Sequence, residues 1–277
     1  MISDGATGAP RAGERDRSLA FRALPANAVT ALALCFGLTG IRFAIAQNWP
    51  FALGCIVIAG VLDGMDGRIA RLLKANSRFG AELDSLSDVT AFGVAPALII
   101  FLWSLNAAPQ PFGWVAALSL AVCCALRLAR FNSLLDADEG PRKKAGFLTG
   151  VPAPAAAGLA FVPAYLWLIS GGEPIYRLWY IVLPWEIFIA LLMISNVPTY
   201  SWSSIRIRRS WRLFALAGVA LLGSALLTEP WMTLLAISTI YLAMIPFAMA
   251  SYAKVRRRRE APAAHAPRAA PAPDRAG

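Results

Sequence analysis

The stretch "LDGMDGRIARLLKANSRFGAELDSLSD" (residues 62–88) follows twelve apolar residues, Phe51 to Leu62, and packs in four aspartates and four basic residues. A helix rises 1.5 Å per residue, so Phe51–Leu62 covers only about 18 Å of a bilayer core roughly 30 Å thick. Either this segment is re-entrant, or the helix continues and carries Asp63 and Asp66 below a membrane surface. On the far side, Val89 to Leu105 gives about 25 Å of mostly apolar chain, which leaves Asp88 just inside the same boundary. Ionisable groups at that depth are costly and mark function.

The rest of the chain supports a membrane setting. Only 15% of its 277 residues are charged while 58% are hydrophobic, and mean hydropathy is +0.57. A soluble domain of this length carries more charge. Apolar segments fall at about 28–46, 50–74, 87–105, 113–130, 153–170, 178–195, 212–227 and 231–250, each near the roughly 20 residues that span a bilayer. The expected fold class is therefore all-α, a polytopic membrane bundle of about eight transmembrane helices. Its expected parts are an N-terminal tail at 1–23, a membrane domain at 24–252 and a basic, Pro/Ala-rich disordered tail at 253–277. The charged, Gly-rich first twenty residues predict no cleavable signal peptide.

Eight crossings divide the connections between two faces. Of the 26 Lys and Arg, only Arg42 and Arg177 belong to one face. The positive-inside rule then predicts that both termini and the 75–86 connection are cytoplasmic, and the expected location is a plasma (bacterial inner) membrane with residues 63–88 at its cytoplasmic face. The net charge of +10 reads as topology and attraction to anionic lipid, and no nucleic-acid partner is expected. Cys35, Cys55, Cys123 and Cys124 lie within apolar segments without metal-type spacing and read as small core residues. The single histidine, His265, lies in the C-terminal tail.

Spacing sharpens the reading of the aspartates. Asp63 and Asp66 are three apart and share one helix face, and Asp84 and Asp88 are four apart on the next helix. With a turn at Lys74–Ser77, two antiparallel helices bring four carboxylates together. Such a group needs cations to neutralise it, and hard oxygen ligands favour Mg²⁺ or Mn²⁺, as a pair, with Ca²⁺ the alternative. Gly67, Ala70 and Gly80 leave room for a ligand, and Arg71 offers a bidentate fork to phosphate. Ion pairing with Arg68, Arg71, Lys74 or Arg78 accounts for any one aspartate, but not for all four. The combination points to a diphosphate substrate at the membrane interface.

The pattern Asp63-x2-Asp66-Gly67-x2-Ala70-Arg71-x8-Gly80-x3-Asp84-x3-Asp88 resembles the signature of the CDP-alcohol phosphotransferase family at all of its fixed positions. The resemblance implies a helical membrane enzyme that moves a phosphatidyl group from a CDP-linked donor to an alcohol and releases CMP. By position, Asp63, Asp66 and Asp84 would hold the metals, with Asp88 a further ligand or the general base. Gly67, Ala70, Arg71 and Gly80 would border the CDP-lipid.

"DSLSDVTAFGVAPALI" (84–99), "LRLARFN" (126–132), "GFLTGVPAPAAAG" (146–158), "SNVPTYS" (195–201) and the N-terminal "LPANAVTALALCFGLTG" are similar to the branch that uses serine. The extra Ala26 between Pro25 and Asn27 departs from that branch's Pro-Asn pattern. The resemblance implies CDP-diacylglycerol and L-serine as substrates, a lipid bilayer as setting and a homodimer as assembly. Arg127, Arg130 and Asn132 are the candidate serine-binding residues, because an Arg fork with an amide suits the acceptor's carboxylate. The alternatives are the same chemistry on glycerol 3-phosphate, inositol phosphate or choline, and, from another class, a cation-coupled membrane transporter. Choline calls for an aromatic cage, and a transporter for polar residues along several helices, whereas 28–46 and 231–250 are almost wholly apolar.

Overall fold

The computed structural model describes residues 12–73, 77–136, 147–195, 198–200 and 212–260. The first three residues of the expected Lys74–Ser77 turn and the outer parts of both tails lie outside them. The described chain is helical apart from one short ribbon. Helix α1 spans Ala12–Ile45 and packs antiparallel along α2, Trp49–Leu72, through Ala33, Ala44, Ala52, Leu53, Ile56 and Ala59. Small residues let the two backbones approach, as is usual between helices in lipid. A Cβ on Gly40 would lie 3.1 Å from the Ala52 carbonyl oxygen.

Helix α2 does not stop where its apolar run stops. It continues through Asp63 and Asp66 to Leu72, which settles the choice between a re-entrant and a continuous segment in favour of continuity. The next span begins at Arg78 rather than near 87. Helix α3, Arg78–Asp88, is started by Ser77, whose hydroxyl accepts the Gly80 N–H at 3.0 Å. A π-helical turn at Val89–Val94 joins it to α4, Ala95–Trp103. Pro96 supplies the physical reason: in a regular helix its ring would press on the Phe92 carbonyl, and a widened turn relieves that clash.

The π turn sits at the centre of the packing and sets the heading of Asp88, the residue before it. On one side a Cβ on Gly37 would lie 2.9 Å from Ala91 Cα. On the other, a Cβ on Gly93 would lie 2.9 Å from Cys124 Cβ, on helix α5, Phe112–Asp136. Overpacking such a contact costs about 1–3 kcal/mol. Gly93→Val should therefore lower the thermal midpoint in detergent and reduce activity together, whereas Cys124→Ala in the same background should recover part of both.

The remaining helices close the bundle. They are α6, Ala153–Ala160, α7, Val162–Ile169, α8, Trp179–Ile194, α9, Arg212–Thr228, and α10, Pro230–Glu260. Helix α8 lies along α5, and α10 runs antiparallel to α6 and α7. Trp231 stacks on Tyr165 at 6.2 Å, and the Ser238 hydroxyl donates to the Gly158 carbonyl. At the end of the bundle away from the aspartates, Arg177 donates from Nε to the Trp103 carbonyl and lies over the rings of Trp49 and Trp167.

Among the described residues five helical stretches are long and apolar enough to cross a membrane: Ala23–Ile45, Trp49–Leu72, Arg78–Trp103, Phe112–Ser133 and Pro230–Phe247. The expected segments at 178–195 and 212–227 appear as shorter apolar helices, and 153–170 is broken at Phe161 before Pro163. Strands Phe147–Thr149 (β1) and Pro198–Tyr200 (β2) form an antiparallel ribbon, with Leu148 opposite Thr199. Patterning in either segment did not indicate it, since each strand is three residues long. Gly150, at φ 78°, follows the ribbon, and a Cβ there would lie 2.5 Å from the Met193 carbonyl oxygen. Helix α10 also continues through Arg256–Arg259 to Glu260, so the first residues of the expected tail are helical, and those beyond Glu260 lie outside the described residues.

Candidate active site

The α2–α3 pair brings the sequence motif together. Asp63, Asp66 and Asp84 each present a carboxylate oxygen, and these oxygens lie within 4.8 Å of one another. Asp66 is buried and the other two are half-buried. Asp88, one turn beyond Asp84, brings its carboxyl beside that of Asp63. Among the described residues no ion pair joins Arg68, Arg71 or Arg78 to these carboxylates, and Lys74 lies outside them. Three hard anionic donors converging at this distance fit a divalent cation, and their mutual repulsion in a poorly hydrated pocket is relieved by one.

Helix α1 forms a wall that the motif did not reveal. The Thr30 hydroxyl donates to Asp66 Oδ2 at 2.6 Å, a charge-assisted hydrogen bond. Ser87 on α3 donates from Oγ to the Thr30 carbonyl at 3.2 Å, and both residues are buried. Thr30 thus ties Asp66 to α1 and α3 and leaves the other carboxylate oxygen directed by that tie. The visible signal was the Asn27-x2-Thr30 spacing after Pro25. Removing only the hydroxyl should cost about 1.5–3 kcal/mol of orientation at Asp66. Thr30→Val should raise the divalent-ion concentration needed for half-maximal activity roughly tenfold or more, with Thr30→Ser close to the parent; a metal titration of activity checks this.

The small residues divide in function. A Cβ on Gly67 would meet nothing within 4 Å, so this face is open beside Asp66. Gly80 does something else: a Cβ there would lie 2.9 Å from Asn27 Oδ1 and 3.1 Å from Ser77 Oγ. Its missing side chain admits the Asn27 amide from α1. Ala70 is half-buried, and Arg71 is exposed in the last turn of α2.

The three residues expected at the acceptor also separate. Arg127 is half-buried on α5 and interacts electrostatically with Asp88, and its buried Nε has no hydrogen-bond partner among the described residues. Asn132 donates from Nδ2 to Ser85 Oγ at 2.9 Å, which links α5 to α3 next to Asp84. Arg130 is exposed. The geometry brings Arg127 to the aspartates and gives Asn132 a bracing contact.

Carboxylates gathered on two helices, with a glycine-opened face beside them and Arg127 on a third helix, form a candidate site for a divalent cation and an anionic ligand on an α-helical bundle. Sequence comparison agrees: residues 23–197 match the family profile described as CDP-alcohol phosphatidyltransferase, and residues 210–246 match a second, CDP-alcohol phosphatidyltransferase 2. The chain belongs to the CDP-alcohol phosphatidyltransferase family. It is 37% identical over 233 residues to a protein of Mycobacterium leprae called CDP-diacylglycerol–serine O-phosphatidyltransferase, covering 84% of this chain and 76% of that one. A Mycobacterium tuberculosis protein of the same name is 36% identical over 85% of this chain and 81% of its own length. One from Helicobacter pylori is 31% identical, over 78% of this chain and 86% of its own.

Proposed function

We propose that the protein makes phosphatidylserine and CMP from CDP-diacylglycerol and L-serine. The observation that carries this reading is the convergence of Asp63, Asp66 and Asp84 with Asp88 beside them, in a chain similar over most of its length to enzymes named for that reaction. Asp63, Asp66 and Asp84 would hold the divalent cation, Mg²⁺ or Mn²⁺, with Asp88 a further ligand or the general base. When bound, the cation neutralises charge on the donor's diphosphate.

The chain's own groups supply the rest. Asp88 accepts the proton of the serine hydroxyl as its oxygen forms a bond to the β-phosphorus. The bond from that phosphorus to the bridging oxygen breaks in line, and CMP departs with the electron pair. The open face at Gly67 would admit the diphosphate, and Arg71, exposed in the last turn of α2, is the candidate fork for a phosphate oxygen. Arg127 receives the serine carboxylate, which places the hydroxyl next to Asp88. Loss of one charged hydrogen bond costs about 1.5–3 kcal/mol. Arg127→Gln should therefore raise the KM for serine roughly ten- to a hundredfold and leave the KM for CDP-diacylglycerol near its parent value; equal loss for both substrates would remove Arg127 from the acceptor site.

The same reading places the chain in the bacterial plasma membrane with eight crossings, both termini and the aspartates on the cytoplasmic side, and two copies per assembly. The one-sided distribution of Lys and Arg supports the orientation. Labelling of single cysteines introduced into the two tails, in intact and opened cells, tests it.

A further inference from the structure

Helix α10 is longer than a membrane requires. Its apolar part is Pro230–Phe247, yet the helix runs on to Glu260. Residues 248–260 add about 20 Å of helix beyond that span. They contain Lys254, Arg256, Arg257, Arg258 and Arg259, opposed by a single acid, Glu260. The direction in which this extension leaves the bundle follows from contacts along α10. Trp231 stacks on Tyr165, Ser238 reaches Gly158, and Tyr241 interacts electrostatically with Arg127, which itself faces Asp88. Each step along the helix comes nearer to the aspartates, and the helix then packs against β2. The basic turns thus emerge at the end of the bundle where the aspartates lie.

We infer that this basic extension is a collecting surface for anionic bilayer lipid, which raises the local concentration of the CDP-linked donor at the mouth of the site. It rests on the reading that the donor is an anionic lipid. A juxtamembrane Lys or Arg attracts anionic headgroups by about 1 kcal/mol, and the attraction extends about one Debye length, 10 Å at 0.1 M salt. A group of five acts on the bilayer around the bundle. It therefore changes how much donor is presented and not how fast bound donor reacts.

The experiment uses the full chain reconstituted in phosphatidylcholine vesicles containing a small mole fraction of CDP-diacylglycerol, with serine and Mn²⁺. Replacing Arg256, Arg257, Arg258 and Arg259 together by Gln should raise the apparent KM for CDP-diacylglycerol at least about fivefold at low salt, with kcat unchanged. The difference should vanish at high salt and with donor dispersed in excess neutral detergent. The corresponding four-Lys variant should match the parent. An unchanged KM at low salt, a loss that persists in detergent, or an equal loss in the Lys variant would each overturn the inference. A turnover-independent arm measures spin-labelled phosphatidylglycerol at the protein surface by electron paramagnetic resonance. Selectivity for it over phosphatidylcholine should fall in the Gln variant. Retained selectivity contradicts the collecting surface, whereas a parent protein that selects the lipid but releases no CMP contradicts only the assigned reaction.

Discussion

Asp88→Asn is expected to cut turnover about a thousandfold while leaving the protein folded and able to bind CDP-diacylglycerol. The substitution keeps the shape of the side chain and its reach toward Asp63, so the α2–α3 packing has no reason to change. What it removes is the capacity to accept a proton, and positioned general bases contribute about 10²–10⁴ in rate. Among the described residues there is no histidine, since the chain's only one is His265. Among the described residues the nearest alternatives are the three other carboxylates. Steady-state CMP release, equilibrium binding of the donor and a thermal unfolding scan separate the outcomes. Activity within about tenfold of the parent would mean that another group takes the proton.

Removal of divalent cations should have the largest effect of all, lowering CMP release to background and also lowering the thermal midpoint. Burial of Asp66 beside Asp63 and Asp84 brings like charges together where little water screens them. A cation that binds only the folded arrangement stabilises it by RT ln(1 + [L]/Kd), about 2.7 kcal/mol at a hundredfold excess over Kd. Titrating Mn²⁺ into chelator-treated protein should accordingly raise the midpoint with saturation. Asp66→Asn and Asp84→Asn should blunt that rise, because each removes a charged ligand. In the absence of cation the same variants should unfold no earlier than the parent, because they also relieve repulsion. A midpoint indifferent to Mn²⁺ in the parent would argue that the three carboxylates hold no ion, whatever the activity shows.

The parts of this account legible in the sequence are those with local periodicity. Asp63 and Asp66, three apart, and Asp84 and Asp88, four apart, announced their faces. The eight apolar segments all fall on helices, though the lengths of several differ from expectation. What was not legible depends on partners distant along the chain. Thr30 meets Asp66 across 36 positions and Ser87 returns to Thr30 across 57, and no spacing rule in either helix records that. Gly80 looked like clearance for a ligand, yet its neighbour is Asn27. The π turn after Asp88 arises from a conflict between Pro96 and helical continuity, visible only once the helix is known to run unbroken from Arg78 to Trp103. Asn132, chosen for its amide, uses that amide to hold Ser85.

The central claim is a transfer from CDP-diacylglycerol to serine at the aspartate cluster. Purified protein in vesicles, given CDP-diacylglycerol, Mn²⁺ and serine, glycerol 3-phosphate, inositol phosphate or choline in parallel, tests it by the phospholipid formed and the CMP released. The account predicts phosphatidylserine and CMP in equal amounts, only with serine, and neither product after Asp88→Asn. CMP release with another acceptor and not with serine, or none with any, would contradict it.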